Sequence, residues 1–586
     1  MGMVLFKGDR IMKRRILATL TSCALFLSVS GAAVLAEPTT TAPLFESDEA
    51  GHGKIKIYAY NSSGDLNLFV KDFLERNTDL AEKYTVITYR PGRGTYDYYT
   101  QTTSMVLGDN PVDIYLPEAD YLYDFVEGDY ASFAAPYSDF IDDLDTKINN
   151  AELAEYARSF GKDSSGVIKA LPYENTSGLF YYRKSIAKEV FGSDDPETVM
   201  DAIGSGTGNW NKYLEACEKL KAYGYAMTSS LDDVLNACNY ASETPWVKDG
   251  CLSLDPSRAQ FLDLGKIMAD GGYTNRTDSW TPEWENDMSG TGFDQVTGKA
   301  RQVFSFMGPL WFLHYCIQNS CGTSTPAYGD WGVCPAPVSF VWGGSGVIAR
   351  KESVENEEKK EFISRFVEWL TLDCTQNSFQ YSFASGMYTD GICDGVTSTK
   401  VMNMVNVNDP FLGGINPLAF LIKETLSTAT GGYGEYKYFV LRDLYRSTTL
   451  SYALGNYSRD EAVESFKEEV AALGEIDVES NFVVPDPQLE APAPYTLTPD
   501  ATPTPDPATS PDPTPTDAPT PTKKRAKGKD TSEKKKKSKS SDSSDSDTDI
   551  PAIVYVLIGV GGAATIAGVA YAIVLILDNK KKNSQK

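Results

Sequence analysis

The stretch "KIKIYAYNSSGDLNLFVKDFLERNTDLAEKYTVITYR", residues 54–90, decides the fold class. Its first seven residues alternate, which places Ile55, Ile57 and Ala59 on one face, as in a strand. The period then changes. Leu66, Phe69, Val70, Phe73 and Leu74 fall at i, i+3, i+4, i+7 and i+8, the apolar stripe of a helix. "YTVITYR" (84–90) returns to strand character. "TYDYYTQTTSMVLGDNP" (95–111) reads as a helix ended by Gly108 and Pro111, and "VDIYL" (112–116) as a third strand. Strand, helix, strand, helix, strand predicts a parallel α/β sheet. Ligands of such sheets bind beyond the carboxyl ends of the strands, where "NSSGD" (61–65) and "PEAD" (117–120) stand. Further on, "EEKKEFISRFVEWLT" (357–371) gathers Phe362, Ile363, Phe366, Val367 and Leu370 on one helical face.

Composition narrows the function. The chain has 586 residues, more than one core accommodates, and a formal net charge of −26. So acidic a chain argues against nucleic acid, whose phosphates require a basic face. The two histidines, His52 and His314, are far apart, which disfavours a histidine metal site or triad. No metal and no cofactor are expected. Tyrosine is abundant, 34 residues, and presents a flat apolar face with a polar tip, suited to sugar rings and to protein interfaces alike.

The N-terminus reads as an export signal over residues 1–36. Lys13-Arg14-Arg15 precedes an apolar run from Ile16 to Val29, and Val34-Leu35-Ala36 offers a small-residue cleavage site. Leu20-Thr21-Ser22-Cys23 offers a second reading, lipidation at Cys23. Cleavage at Ala36 leaves Cys217, Cys238, Cys251, Cys316, Cys321, Cys334, Cys374 and Cys393. Their spacing leaves both free thiols and disulfides open.

Residues 50–484 have globular composition. Residues 485–549 do not: a Pro/Thr tract favours extended polyproline II, and the Lys/Ser/Asp-rich run after it lacks apolar anchors and is expected to be disordered. Ala552–Leu577 carries no charge. At about 1.5 Å per residue it exceeds a hydrocarbon core of about 30 Å, so a transmembrane helix is expected over 550–578 with a cytoplasmic tail at 579–586. The export signal sets the orientation, with the globular part outside.

Several segments recur in a recognisable order. "YNSSGDLNLFVKDFLERN" is followed by "PVDIYLPEADYLYDFV" and "VIKALPYENTSGLFYYRKSIAKEVFG". Then come "VFSFMGPLWFLHY", "GDWGVCPAPVSFVWGGSGVIARKES", and "KKEFISRFVEWLTLD" leading into "FASGMYTD". Over about 50–480 this order resembles the extracellular solute-binding proteins of ABC importers, the maltose-binding-like sugar group. The resemblance implies a two-lobed periplasmic-binding-protein fold of type II that closes over a sugar or oligosaccharide, with ABC permease subunits as partners and no catalysis. By the same resemblance Asn61, Ser62 and Ser63 would line the cleft. Glu118 and Asp120 would meet sugar hydroxyls, and the polar turn Glu174, Asn175, Thr176 would border the cleft. Trp311 would be the stacking position within Gly308-Pro309-Leu310-Trp311, and Trp342, Gly343 and Gly344 a glycine-rich edge. Tyr388 would return on a late loop. Two other readings stand beside this one: a cell-surface glycan-binding or adhesive protein on the same fold, and a glycosidase using two carboxylates.

Overall fold

The computed structural model describes residues 45–47, 53–59, 65–90, 98–389, 391–428, 438–479, 482, 484 and 489–496. The export signal, the transmembrane span, the tail, most of the stalk and Asn61, Ser62 and Ser63 lie outside the described residues. Among those described, no helix is long and apolar enough to cross a membrane. The eight cysteines after Ala36 are free thiols, six of them buried.

Twelve strands are present among the described residues: β1 (Phe45–Glu46), β2 (Gly53–Ala59), β3 (Tyr84–Tyr89), β4 (Ile114–Leu116), β5 (Gly161–Lys162), β6 (Ile168–Pro172), β7 (Leu179–Arg183), β8 (Val247–Lys248), β9 (Cys251–Leu252), β10 (Ser305–Gly308), β11 (Trp331–Cys334) and β12 (Gly346–Ala349). Seven form the sheet of a first lobe, in the order β1-β3-β2-β4-β12-β6-β5, and three form that of a second, β10-β7-β11. β2 pairs in parallel with both β3 and β4, as the alternation of strands and helices predicts. The whole sheet is mixed rather than parallel. β12 enters antiparallel between β4 and β6 because it returns from the second lobe instead of following a helical crossover.

The helix Asp65–Arg76 buries Leu66, Phe69, Val70, Phe73 and Leu74 against this sheet and the helix Glu357–Thr371. Phe73 meets Phe362 and Phe366 edge-on, 5.4 and 5.1 Å between ring centres. Each such side chain contributes roughly 1.5–3 kcal/mol of burial. The later helix starts on Asn356, whose side chain accepts the Glu358 N–H. In the second lobe, Trp210, Tyr213, Trp246, Phe304, Tyr445 and Phe466 fill a core of their own. β7 is its central strand, and all five of its residues are buried. A strand covered on both faces reads as a continuous apolar run, as "LFYY" does.

The lobes are joined by two strand-like crossovers side by side. Residues 173–178 leave β6 for β7, and 335–345 return from β11 to β12. The Trp342 N–H donates to the Thr176 carbonyl (3.0 Å) and the Gly178 N–H to the Phe340 carbonyl (2.7 Å). Gly178 is required here, since a Cβ would lie 2.0 Å from the Phe340 ring. The chain enters the second lobe again at the helix Tyr438–Ala453, which packs on the helices Leu231–Tyr240 and Pro256–Gly271.

The second lobe carries a buried pair of acids. Asp287 accepts from Ser229 and Asn275 at 2.6 and 2.7 Å. Asp233 accepts from Thr228 (2.8 Å) and the Trp284 indole (3.1 Å). Burial outweighs these hydrogen bonds and pushes Asp287 up to about 7 and Asp233 to about 6. A carboxyl whose pKa is raised by folding stabilises the protein at low pH, and that contribution is lost as pH rises through the raised value. Relative to Asp287→Asn, the wild type should therefore lose roughly 2–3 kcal/mol of unfolding free energy between pH 5 and pH 8. Urea titrations of both proteins across that range measure it, and a constant difference would refute the assignment.

Candidate functional site

The crossovers bring the end of β4 against the glycine-rich return strand. Glu118 bridges Ser345, and the Ala119 N–H donates to the Gly344 carbonyl at 2.8 Å. Glu118 caps the short turn Ala119–Tyr121, with Oε2 accepting the Asp120 N–H at 2.9 Å. Burial, and next the Asp120 charge, hold the Glu118 carboxyl well above the usual range.

Asp120 reaches across to the second lobe. Arg442 Nη1, on the helix Tyr438–Ala453, donates to it at 2.7 Å, and the Tyr240 hydroxyl donates at 3.0 Å. Arg442 also donates to the Tyr240 oxygen at 2.9 Å. Asp120 thus contributes to an interlobe clasp. One turn on, Arg446 grips Asp232 with two bonds of 2.6 Å within the second lobe.

"PLWFL" divides cleanly. Leu310 is buried core, whereas Trp311 is half-buried beside the return crossover. The Trp311 indole donates to the Trp342 carbonyl at 3.2 Å, and the two rings meet edge to face with centres 5.2 Å apart. A Cβ placed on Gly343 would fall 3.7 Å from Trp311 Cζ2 and 3.8 Å from Glu118 Oε1. Glycine keeps that point empty, and its φ of +71° suits a residue without a side chain. Glu118, Trp311, Trp342 and Gly343 therefore share one site.

A third indole joins them. Trp280 lies nearly parallel to Trp311 (11°, 6.4 Å between centres) and edge-on to Trp342 (6.1 Å). It is 61% exposed and has a φ of +65°, left-handed backbone that bulky residues rarely adopt. Sequence reading misses Trp280. The signal available to it was "DSWTPEW", a tryptophan just before a Thr-Pro helix start, which marks a loop and not a core position.

The polar turn is placed differently from the expectation. Asn175 is 1% exposed. Its Nδ2 donates to the Thr425 hydroxyl at 2.7 Å, and its oxygen accepts the Ser177 N–H at 2.9 Å. Thr176 is buried and donates to the Gly343 carbonyl at 3.1 Å. Both fasten the crossovers in this conformation. Glu174 is half-buried, bridges Val396, and its charge is felt at Glu118. Tyr388 packs on Phe69 and Phe379 in the first lobe and donates to Asp72 at 2.5 Å, so its hydroxyl is engaged away from the tryptophans. His314 is buried, with one ring nitrogen 2.6 Å from the Cys393 carbonyl, and burial pushes it down to about 4. Among the described residues no cluster of metal-binding side chains occurs.

The family described as bacterial extracellular solute-binding protein matches residues 69–377, over half of the 586-residue chain. The chain belongs to that family. Comparison of this solute-binding protein with curated proteins finds no match. Among solved structures, an extracellular solute-binding protein of family 1 superposes with a TM-score of 0.57 at 15% identity, covering 72% of this chain and 99% of that one. The galacto-N-biose/lacto-N-biose I-binding protein of an ABC transporter from Bifidobacterium longum, in complex with lacto-N-biose, gives 0.52 at 15% identity, covering 74% and 100%. The cyclic α-maltosyl-1,6-maltose binding protein from Arthrobacter globiformis gives 0.50 at 14%, covering 72% and 99%. At these identities the likeness is one of fold.

Proposed function

We propose that this solute-binding protein captures a carbohydrate outside the cell and delivers it to an ABC permease. The observation that carries the reading is the tryptophan surface beside a carboxylate at the lobe junction. Indole faces cover the apolar C–H face of a sugar ring, and carboxylates accept its hydroxyl protons. The clasp of Asp120 with Arg442 and Tyr240 fits a protein that works by closing one lobe on the other. The resemblance to the lacto-N-biose and cyclic maltosyl-maltose binders agrees with a sugar ligand. We assign no catalytic residue.

The export signal and the apolar run Ala552–Leu577 support a membrane-tethered protein with its binding lobes outside and a cytoplasmic tail. The stalk between lobes and span is long, which favours surface glycan capture as a second reading. Tryptophan fluorescence and calorimetry against mono- and oligosaccharides test the first reading: saturable binding with quenching supports it, and no binding by any sugar defeats it. Retention of the protein by insoluble polysaccharide, without binding to soluble sugars, would favour the second.

A further inference from the structure

We infer that Trp280 is an outer ligand platform, and that the ligand is an oligosaccharide of at least two rings, one of which rests on Trp280. The inference rests on the carbohydrate reading and narrows it: Trp280 sets the preferred chain length.

The spacing of the indoles carries the argument. Trp280 and Trp311 are nearly parallel, 11° between planes and 6.4 Å between centres, so the gap between their faces is no wider than that. A sugar ring held between two indoles needs at least about 7 Å, because carbon atoms approach to about 3.5 Å on each side. No ring therefore enters between them. A ring placed beside Trp311, Trp342 and Glu118 leaves Trp280 uncovered, and covering Trp280 takes a second ring linked to the first. Trp280 already meets Trp284 and Trp342, with centres 5.2 and 6.1 Å apart, and is still 61% exposed. Folding gains little from an indole left so far in water, whereas a bound ring would bury it.

The loop is built to hold the indole in place. Arg276 and Trp280 both have left-handed backbone, φ +61° and +65°. Such backbone persists where its surroundings over-determine it, and it gathers at ligand clamps. The loop is pinned on both sides of Trp280. Before it, Asn275 Nδ2 donates to Asp287 at 2.7 Å and to the Arg301 carbonyl at 2.9 Å, and the hydroxyls of Thr277 and Ser229 are 2.6 Å apart. After it, the Thr281 side chain accepts the Trp284 N–H at the start of the helix Pro282–Ser289, and the Trp284 indole donates to Asp233 at 3.1 Å. The buried acids Asp233 and Asp287 thus anchor the loop. An indole fixed in advance has little freedom left to lose when a ring covers it.

The loop also stands at the lobe junction. Asp278 lies 3.9 Å from Arg446, which is one helical turn from Arg442, the residue that holds Asp120 of the first lobe at 2.7 Å. The Trp280 platform therefore borders the interlobe clasp, and a ligand that extends from Glu118 and Trp311 onto Trp280 stays within the junction.

The experiment uses the full-length chain and series of glucose- and galactose-configured saccharides, α- and β-linked, from one ring to four. Calorimetry gives affinity along each series, and tryptophan emission reports cover of the exposed indole. In a series that binds, affinity should rise roughly tenfold at the chain length that first covers Trp280, with a blue shift of the emission. Trp280→Ala changes an exposed side chain, so the fold should be retained. It should erase that rise and the blue shift, and leave the affinity of the shorter members within about threefold of wild type. Trp280→Phe, which keeps a ring, should recover part of the rise. Equal affinity for one-ring and longer members in the wild type overturns the inference and leaves the carbohydrate reading standing. So does a Trp280→Ala variant that binds every member as the wild type does, or that weakens all members alike. Binding of no saccharide in any series overturns both.

Discussion

Asn175→Ala is expected to destabilise the protein by about 2–4 kcal/mol, because two buried hydrogen bonds end on one amide. Removal of that amide leaves the Ser177 N–H without its acceptor and takes a donor from the Thr425 hydroxyl on the helix Pro417–Ser427. Each orphaned buried group costs about 1–3 kcal/mol, since water cannot replace the lost partner. The Thr425 hydroxyl also donates to the Leu421 carbonyl at 2.6 Å, so it has little freedom to turn elsewhere. Urea unfolding measures the loss. Sugar affinity of the protein that remains folded should change less than about threefold, well below one full hydrogen bond. The opposite result, unaltered stability with affinity lost, would return Asn175 to the ligand.

Asn175 also marks where sequence reading stops. Order and resemblance place "ENTS" (174–177) at the lobe junction, and it lies there. Which side chains face the cleft depends on the twist of two crossovers that pair only through the fold. Thr425 and Gly343 are far away in sequence, so nothing local reveals that Asn175 and Thr176 are already engaged. The first lobe is legible for the opposite reason. The alternation of 54–60 and the stripe of 65–76 are local periodicities, and both elements form within a residue or two of the expected limits. The antiparallel entry of β12 is invisible locally, since it depends on the chain returning from the second lobe. Asp120 is placed at the lobe junction, yet its partners Tyr240 and Arg442 lie on helices with no motif to announce them. Trp280 is absent from the expectation because an exposed tryptophan in a loop has no periodic signature.

Trp311→Ala is expected to weaken sugar binding about thirty-fold to a thousand-fold, the range for loss of a central aromatic contact worth about 2–4 kcal/mol. Trp311 is central to the tryptophan surface. It stands edge-on to Trp342, parallel to Trp280, and beside the point over Gly343 that Glu118 also borders. Its indole N–H fixes its own orientation through the Trp342 carbonyl. Truncation therefore removes a stacking surface and also loosens the return crossover. Trp311→Phe separates the two effects, because it keeps a ring and lacks the N–H; it should recover a large part of the affinity. The neighbouring Leu310→Ala provides the contrast. Leu310 is fully buried, so its truncation should cost about 2–5 kcal/mol of stability and leave the ligand-facing surface in place. Calorimetric titration and urea unfolding of the three variants yield both quantities. Should Trp311→Ala bind sugar within about threefold of wild type, the tryptophan surface is not the ligand platform, and the reading of this junction as a carbohydrate site falls with it.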